Sequence, residues 1–240
     1  MATASVFSCL LTLTEVLGRY LEYVYHIGDC QDPPEISSVD LELLLGEWEQ
    51  ALSEDIRRAV LRGTDLGIDT PGGANLRLAY LAVKLLLRRI QLDLDKGTHH
   101  IGGFTPYLRA QRAAEDIVHF VQELDESHCH GFRIPTNAYT LISATPFLLR
   151  CSLRSGSPTQ NTPLKIAKDT INTLRSHRRN FSWHLAANCL GNCGDMIEMI
   201  EAGINQSSPA LPNIDQYPDI GVSVLDDLLT VFGDTFEMDL

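Results

Sequence analysis

The chain has 240 residues, 44% hydrophobic and 21% charged, with a formal net charge of −12; this supports a packed core and excludes wholesale disorder. No apolar run is long and clean enough to span a bilayer, and no basic leader precedes the first apolar stretch, which argues against a signal peptide. The charge is segregated: residues 1–179 hold all 19 Lys and Arg with 21 acids, whereas residues 180–240 hold ten acids and neither Lys nor Arg, which argues against phosphate neutralisation by that last part.

Apolar residues recur at helical spacing along the chain. Leu10, Leu13, Leu17, Tyr20, Leu21 and Val24 predict one face of a first helix, Ser8 to Ile27. After a loop over Gly28 to Ser38, the set Leu41, Leu44, Leu45, Trp48, Leu52 and Ile56 predicts a second helix, capped by the short carboxylate of Asp40. Arg62 to Asn75, rich in Gly, Asp and Pro, reads as a loop.

Leu76 to Leu92 is apolar around most of its circumference, with a narrow polar edge of Arg77, Lys84, Arg88 and Gln91. Such a helix belongs in the middle of a bundle. Lys96 to Pro106 reads as a loop, and Ala110, Ala113, Ala114, Ile117, Phe120, Val121 and Leu124 form the stripe of the next helix. Pro135 to Leu153 is again apolar nearly all round. Pro135 suits a first turn, while Pro146 is expected to kink or split the helix.

Thr162-Pro163 starts a helix carrying Leu164, Ala167, Ile171 and Leu174. Its cations Arg175, His177, Arg178 and Arg179 complement the carbonyl end of the helix dipole, a reading favoured over a phosphate site. The last predicted helix, Trp183 to Ala202, has Ala186, Cys189, Leu190, Cys193, Ile197 and Ile200 on one face. The fold class is therefore all-α: a multi-helix bundle over 1–204, followed by an acidic, partly disordered tail over 205–240. No alternating strand and no fixed-period repeat is evident.

Candidate metal ligands are weak. Cys189 and Cys193 are one helical turn apart but lie in an apolar stripe, without a second close pair to complete a tetrahedral site. His99-His100 and His128-Cys129-His130 fall in loops, where consecutive side chains do not converge on one ion. Asp93 to Gly97 is too short for a calcium loop. No phosphate loop, nucleophile elbow or paired His-Glu motif is present. The even number of cysteines, six, in a chain of this length without a leader points to free, buried thiols. No cofactor is expected.

The tail carries the sharpest functional signal. From Val222 onward, Asp226, Asp227, Asp234, Glu237 and Asp239 interleave with Leu228, Leu229, Val231, Phe232, Phe236, Met238 and Leu240. Acids keep such a segment soluble while its bulky side chains are offered to a groove on another protein. Asp226, Asp227, Leu228, Leu229, Phe232, Phe236 and Met238 are the candidate interaction residues. Packing back onto the bundle and a frayed terminus are the alternatives.

Several motifs carry a resemblance. Leu17-Gly18-Arg19-Tyr20-Leu21 with Tyr25, Leu44 to Trp48 with Leu52, Leu78-Ala79-Tyr80-Leu81-Ala82, Leu85 to Ile90 and Ala113 to Ile117 occur in this order. Together they resemble the fungal-specific transcription factor domain, the middle homology region of fungal zinc-cluster regulators. Leu148-Leu149-Arg150-Cys151, Ala167-Lys168-Asp169, Leu174-Arg175-Ser176-His177 and Trp183 are most similar to the cutinase transcription factor group. The resemblance spans roughly residues 8–204.

It implies a regulatory, non-enzymatic region in the nucleus that acts on RNA polymerase II transcription through co-regulator proteins, the transcription machinery or a small apolar metabolite. The metabolite would sit between Leu76–Leu92 and Pro135–Leu153. Family members carry a six-cysteine zinc cluster with close C-x-x-C pairs. The gaps here, 20, 98, 21, 37 and 3 residues, cannot form one, so this chain is not expected to read DNA unaided. A helical scaffold outside transcription, and an all-helical enzyme on an apolar substrate, are the rival readings.

Overall fold

The computed structural model describes residues 2–29, 37–62, 72–96, 104–126, 128, 136–154, 162–183 and 187–205. Among these there are eight α-helices, one π-helical turn and no strand, as the all-α reading expects. The helices are α1 (Ala2–Asp29), α2 (Ser38–Ala51), α3 (Glu54–Arg57), α4 (Gly73–Lys96), α5 (Phe104–Glu123), α6 (Thr136–Arg154), α7 (Thr162–Phe181) and α8 (Ala187–Asn205). The π-helical turn, Arg58–Arg62, follows α3 directly.

Helix α4 occupies the middle, against α1, α2, α5 and α6. Its Leu76, Leu78, Leu81, Val83, Leu85, Leu87, Ile90 and Leu92 are all buried, each worth about 1.5–3 kcal/mol relative to exposure. Its polar edge binds the neighbours. Lys84 Nζ is 2.9 Å from Asp116 Oδ2 on α5, Arg88 Nη1 is 2.8 Å from Glu42 Oε1 on α2, and Gln91 Nε2 donates to Glu42 Oε2 at 2.9 Å. The fourth edge residue, Arg77, turns inward and lies 4.7 Å over the Phe120 ring.

The predicted α5 stripe is buried at all seven positions, and so is the four-residue stripe of α7. On α1 the buried face is rotated. Val6, Leu13, Val16, Tyr20, Tyr23 and Val24 face inward, while Leu10, Leu17 and Leu21 are only partly buried. The Tyr20 hydroxyl sets this register by donating to the Leu41 carbonyl at 2.7 Å.

Helix α2 differs from expectation at both ends. Ser37, not Asp40, is the N-cap: the Asp40 amide donates to Ser37 Oγ and the Asp40 carboxylate accepts from the Ser37 amide, a reciprocal box. The helix stops at Ala51, so Leu52 and Ile56 lie beyond it. Arg57 reaches back to donate to the carbonyls of Glu49, Gln50 and Leu52, satisfying groups that an α-helix leaves open at its end.

Helix α4 begins earlier than predicted, after Gly72, which holds φ +88°. A Cβ there would stand 3.3 Å from Val6 Cγ1 of α1, so glycine meets both a backbone and a packing demand. Helix α5 begins at Phe104. Helix α6 runs unbroken through Pro146, so the expected split does not occur. Trp183 precedes α8 instead of opening it, and α8 continues to Asn205. Residues 206–240, including every candidate interaction residue of the tail, lie outside the described residues.

Candidate functional site

Helices α7 and α8 pack along one another, and their contact leaves an open hollow of about 390 Å³ lined by Arg175, Arg178, Arg179 and Leu190. The sequence predicts three of these residues as dipole partners, and Arg178 and Arg179 do occupy the last turn of α7. The fourth, Leu190, is partly buried: it packs against the core at the margin of the stripe of Cys189, Cys193, Ile197 and Ile200 and also lines the hollow.

The three guanidinium groups are exposed, and among the described residues none forms an ion pair with an acid. Nor does α7 supply an acid one turn away. Residues 171, 172, 181 and 182 are Ile, Asn, Phe and Ser, while Arg175 stands three and four residues from Arg178 and Arg179. Like charges at that spacing cost helix stability. Arg175 also crosses toward α8, its Nη2 3.7 Å from where a Cβ would stand on Gly194. Forked guanidinium donors around an apolar side chain suit a carboxylate-bearing ligand with apolar side chains of its own.

His177, on the same turn, does not join this cluster. It is buried against Phe181 and Trp183, ring centroids 5.4 and 5.7 Å away. Burial lowers its pKa below the ordinary 6.5, and its Nδ1 has no hydrogen-bond partner. Ser182 permits this arrangement by adopting φ 52°. The chain thereby reverses, and the Trp183 amide donates back to the His177 carbonyl at 3.4 Å.

Cys189 and Cys193 are fully buried, their sulfurs 3.8 Å apart, and Cys189 Sγ lies 3.6 Å from the Leu141 carbonyl and 3.5 Å from Thr145 Oγ1. The hydrogen-bonded neighbour Cys189, together with burial, pushes the Cys193 thiol far above its ordinary value, so Cys193 stays protonated, while the hydrogen bonds of Cys193 and Thr145 lower the Cys189 thiol. Among the described residues no three or more His, Cys, Asp or Glu side chains gather as a metal set. His128 Nδ1 is 2.7 Å from Asp125 Oδ1 in a local turn; His99, His100, Cys129 and His130 lie outside the described residues. No described helix is long and apolar enough to cross a membrane.

The hollow is not where a metabolite was expected. It lies at α7 and α8, away from the α4–α6 seam, where Leu87, Leu148 and Leu149 are completely buried. No family model, no curated protein and no solved structure matches this chain.

Proposed function

We propose that this chain is a regulatory and interaction region of a fungal transcription factor, acting by contact instead of by turnover and lacking the zinc cluster that would read DNA. The observation that carries the contact role is the arginine-lined hollow on α7 and α8, whose charges have no acid partner among the described residues. The transcriptional setting rests on the ordered motifs from Leu17 to Trp183. The division of charge supports both, with every Lys and Arg before residue 180 and an acidic, apolar segment after it.

In this reading the tail recruits the transcription machinery in the nucleus through Asp226, Asp227, Leu228, Leu229, Phe232, Phe236 and Met238. The direct test fuses residues 206–240 to an unrelated DNA-binding domain in fungal cells. Reporter output well above that domain alone is expected, and it should fall when Leu228, Leu229, Phe232 and Phe236 become Ala. Output no higher than that of the DNA-binding domain alone rejects the tail as a recruiting segment.

A further inference from the structure

We infer that the hollow between α7 and α8 is the docking site for this chain's own residues 222–240. The inference deepens the contact role proposed above by naming the occupant of the same hollow.

Charge complementarity is the first support. Arg175, Arg178 and Arg179 stand exposed around the hollow without acid partners among the described residues. Residues 206–240 contain seven acids and no Lys or Arg. Five of those acids fall within 226–239, spaced among Leu, Val, Phe and Met. The hollow offers three forked donors beside the half-buried Leu190, and the segment offers carboxylates beside bulky apolar side chains. A lone phosphate would satisfy the guanidinium groups but leave the exposed part of Leu190 uncovered.

Reach is the second support. The tail leaves the bundle from α8, the helix that supplies Leu190. At about 1.5 Å per residue, Leu190 lies ~22 Å along that helix from Asn205. The chain from Asn205 to Val222 can extend to ~56 Å. The segment can therefore return along α8 to the hollow, and its attachment holds it there at a high effective concentration. Docking also removes the cost of three like charges on one helical turn. A docked tail is hidden from any other protein, so the two partners compete.

Hydrogen exchange on the full chain tests this. Amides of 222–240 are expected to exchange about tenfold faster in the R175E/R178E/R179E variant than in the unaltered chain, with exchange in α4 and α5 unchanged. Adding D226K and D227K to that variant should restore much of the protection, because the charges are then reversed on both sides. Raising salt to ~0.5 M should weaken protection in the unaltered chain, a readout that needs no substitution.

Exchange of 222–240 that is the same in the unaltered chain and in the triple variant overturns the inference. So does added inorganic phosphate that protects the end of α7 while leaving exchange of the tail as it was. The reporter fusion contains neither α7 nor α8, so recruitment by the tail and its docking on the bundle fail independently.

Discussion

The indole of Trp48 stacks on the ring of Tyr80, centroids 5.8 Å apart and planes 16° from parallel. Around this pair three helices are joined. Trp48 Nε1 donates to Thr12 Oγ1 of α1 at 3.0 Å, and the Tyr80 hydroxyl of α4 donates to Glu49 Oε1 of α2 at 2.7 Å. Burial first, and then the Glu49 carboxylate, push the Tyr80 phenol far above its ordinary pKa, so the hydroxyl stays a donor across the whole working range of pH.

Replacing Trp48 by Ala removes a buried aromatic ring and its stack, and is expected to cost about 3–5 kcal/mol. Trp48→Phe keeps much of the packing and loses the hydrogen bond to Thr12, about 1 kcal/mol. Denaturant titration followed by helical circular dichroism separates the two. Equal losses would show that the ring's volume contributes nothing.

Gly72 opens α4 at φ +88° against Val6. Gly72→Ala forces a Cβ into both the left-handed backbone region and a tight contact, with an expected loss of about 1–2 kcal/mol. At about 2–4 °C per kcal/mol for a chain of this size, thermal melting resolves it. An unchanged midpoint would show that α1 and the start of α4 move apart freely.

Arg77 has its Nε and Nη1 buried without hydrogen-bond partners, and its guanidinium rests over Phe120. Burial lowers its pKa from the ordinary value despite the acids Glu123 and Asp116 nearby. Arg77→Met keeps an apolar stem of similar length and removes the buried charge. It is expected to leave stability within about 0.5 kcal/mol or raise it, whereas Arg77→Ala should lower stability through lost packing. A large loss in the Met variant would reveal that the charge itself holds α4 to α5.

His177 ties stability to pH. Its folded pKa lies below the ordinary 6.5 because it is buried, so the unfolded chain binds the proton more readily. The group's contribution is complete above about pH 6.5 and declines as pH falls below that value. His177→Phe should remove this part of the decline. Equilibrium unfolding of both proteins between neutral and mildly acidic pH measures it, and parallel curves would contradict the assignment.

How much of this was legible depended on whether spacing alone decided the outcome. The α5 and α7 stripes were readable because their apolar residues keep helical period along one uninterrupted helix. The run from Leu41 to Ile56 keeps the same period across a break, where the backbone turns extended at Leu52 and Arg57 reaches back to the carbonyls left open. On α1, Thr14 returns its hydroxyl to the Leu11 carbonyl at 2.6 Å and stays exposed, while Tyr20 and Tyr23 decide which face turns inward. The hollow needed two helices brought together, because Leu190 meets the arginines only through packing. Its one sequence signal was a turn of α7 with three arginines and no acid at helical spacing.

The buried thiols give the chain an internal gauge of motion. Cys189 and Cys193 meet inside the α6–α8 seam, where an alkylating reagent arrives only when that seam separates. Cys9 on α1 is only partly buried and calibrates the reagent. The ratio of the two rates, read residue by residue by mass spectrometry in native buffer, therefore counts how often the C-terminal helices part.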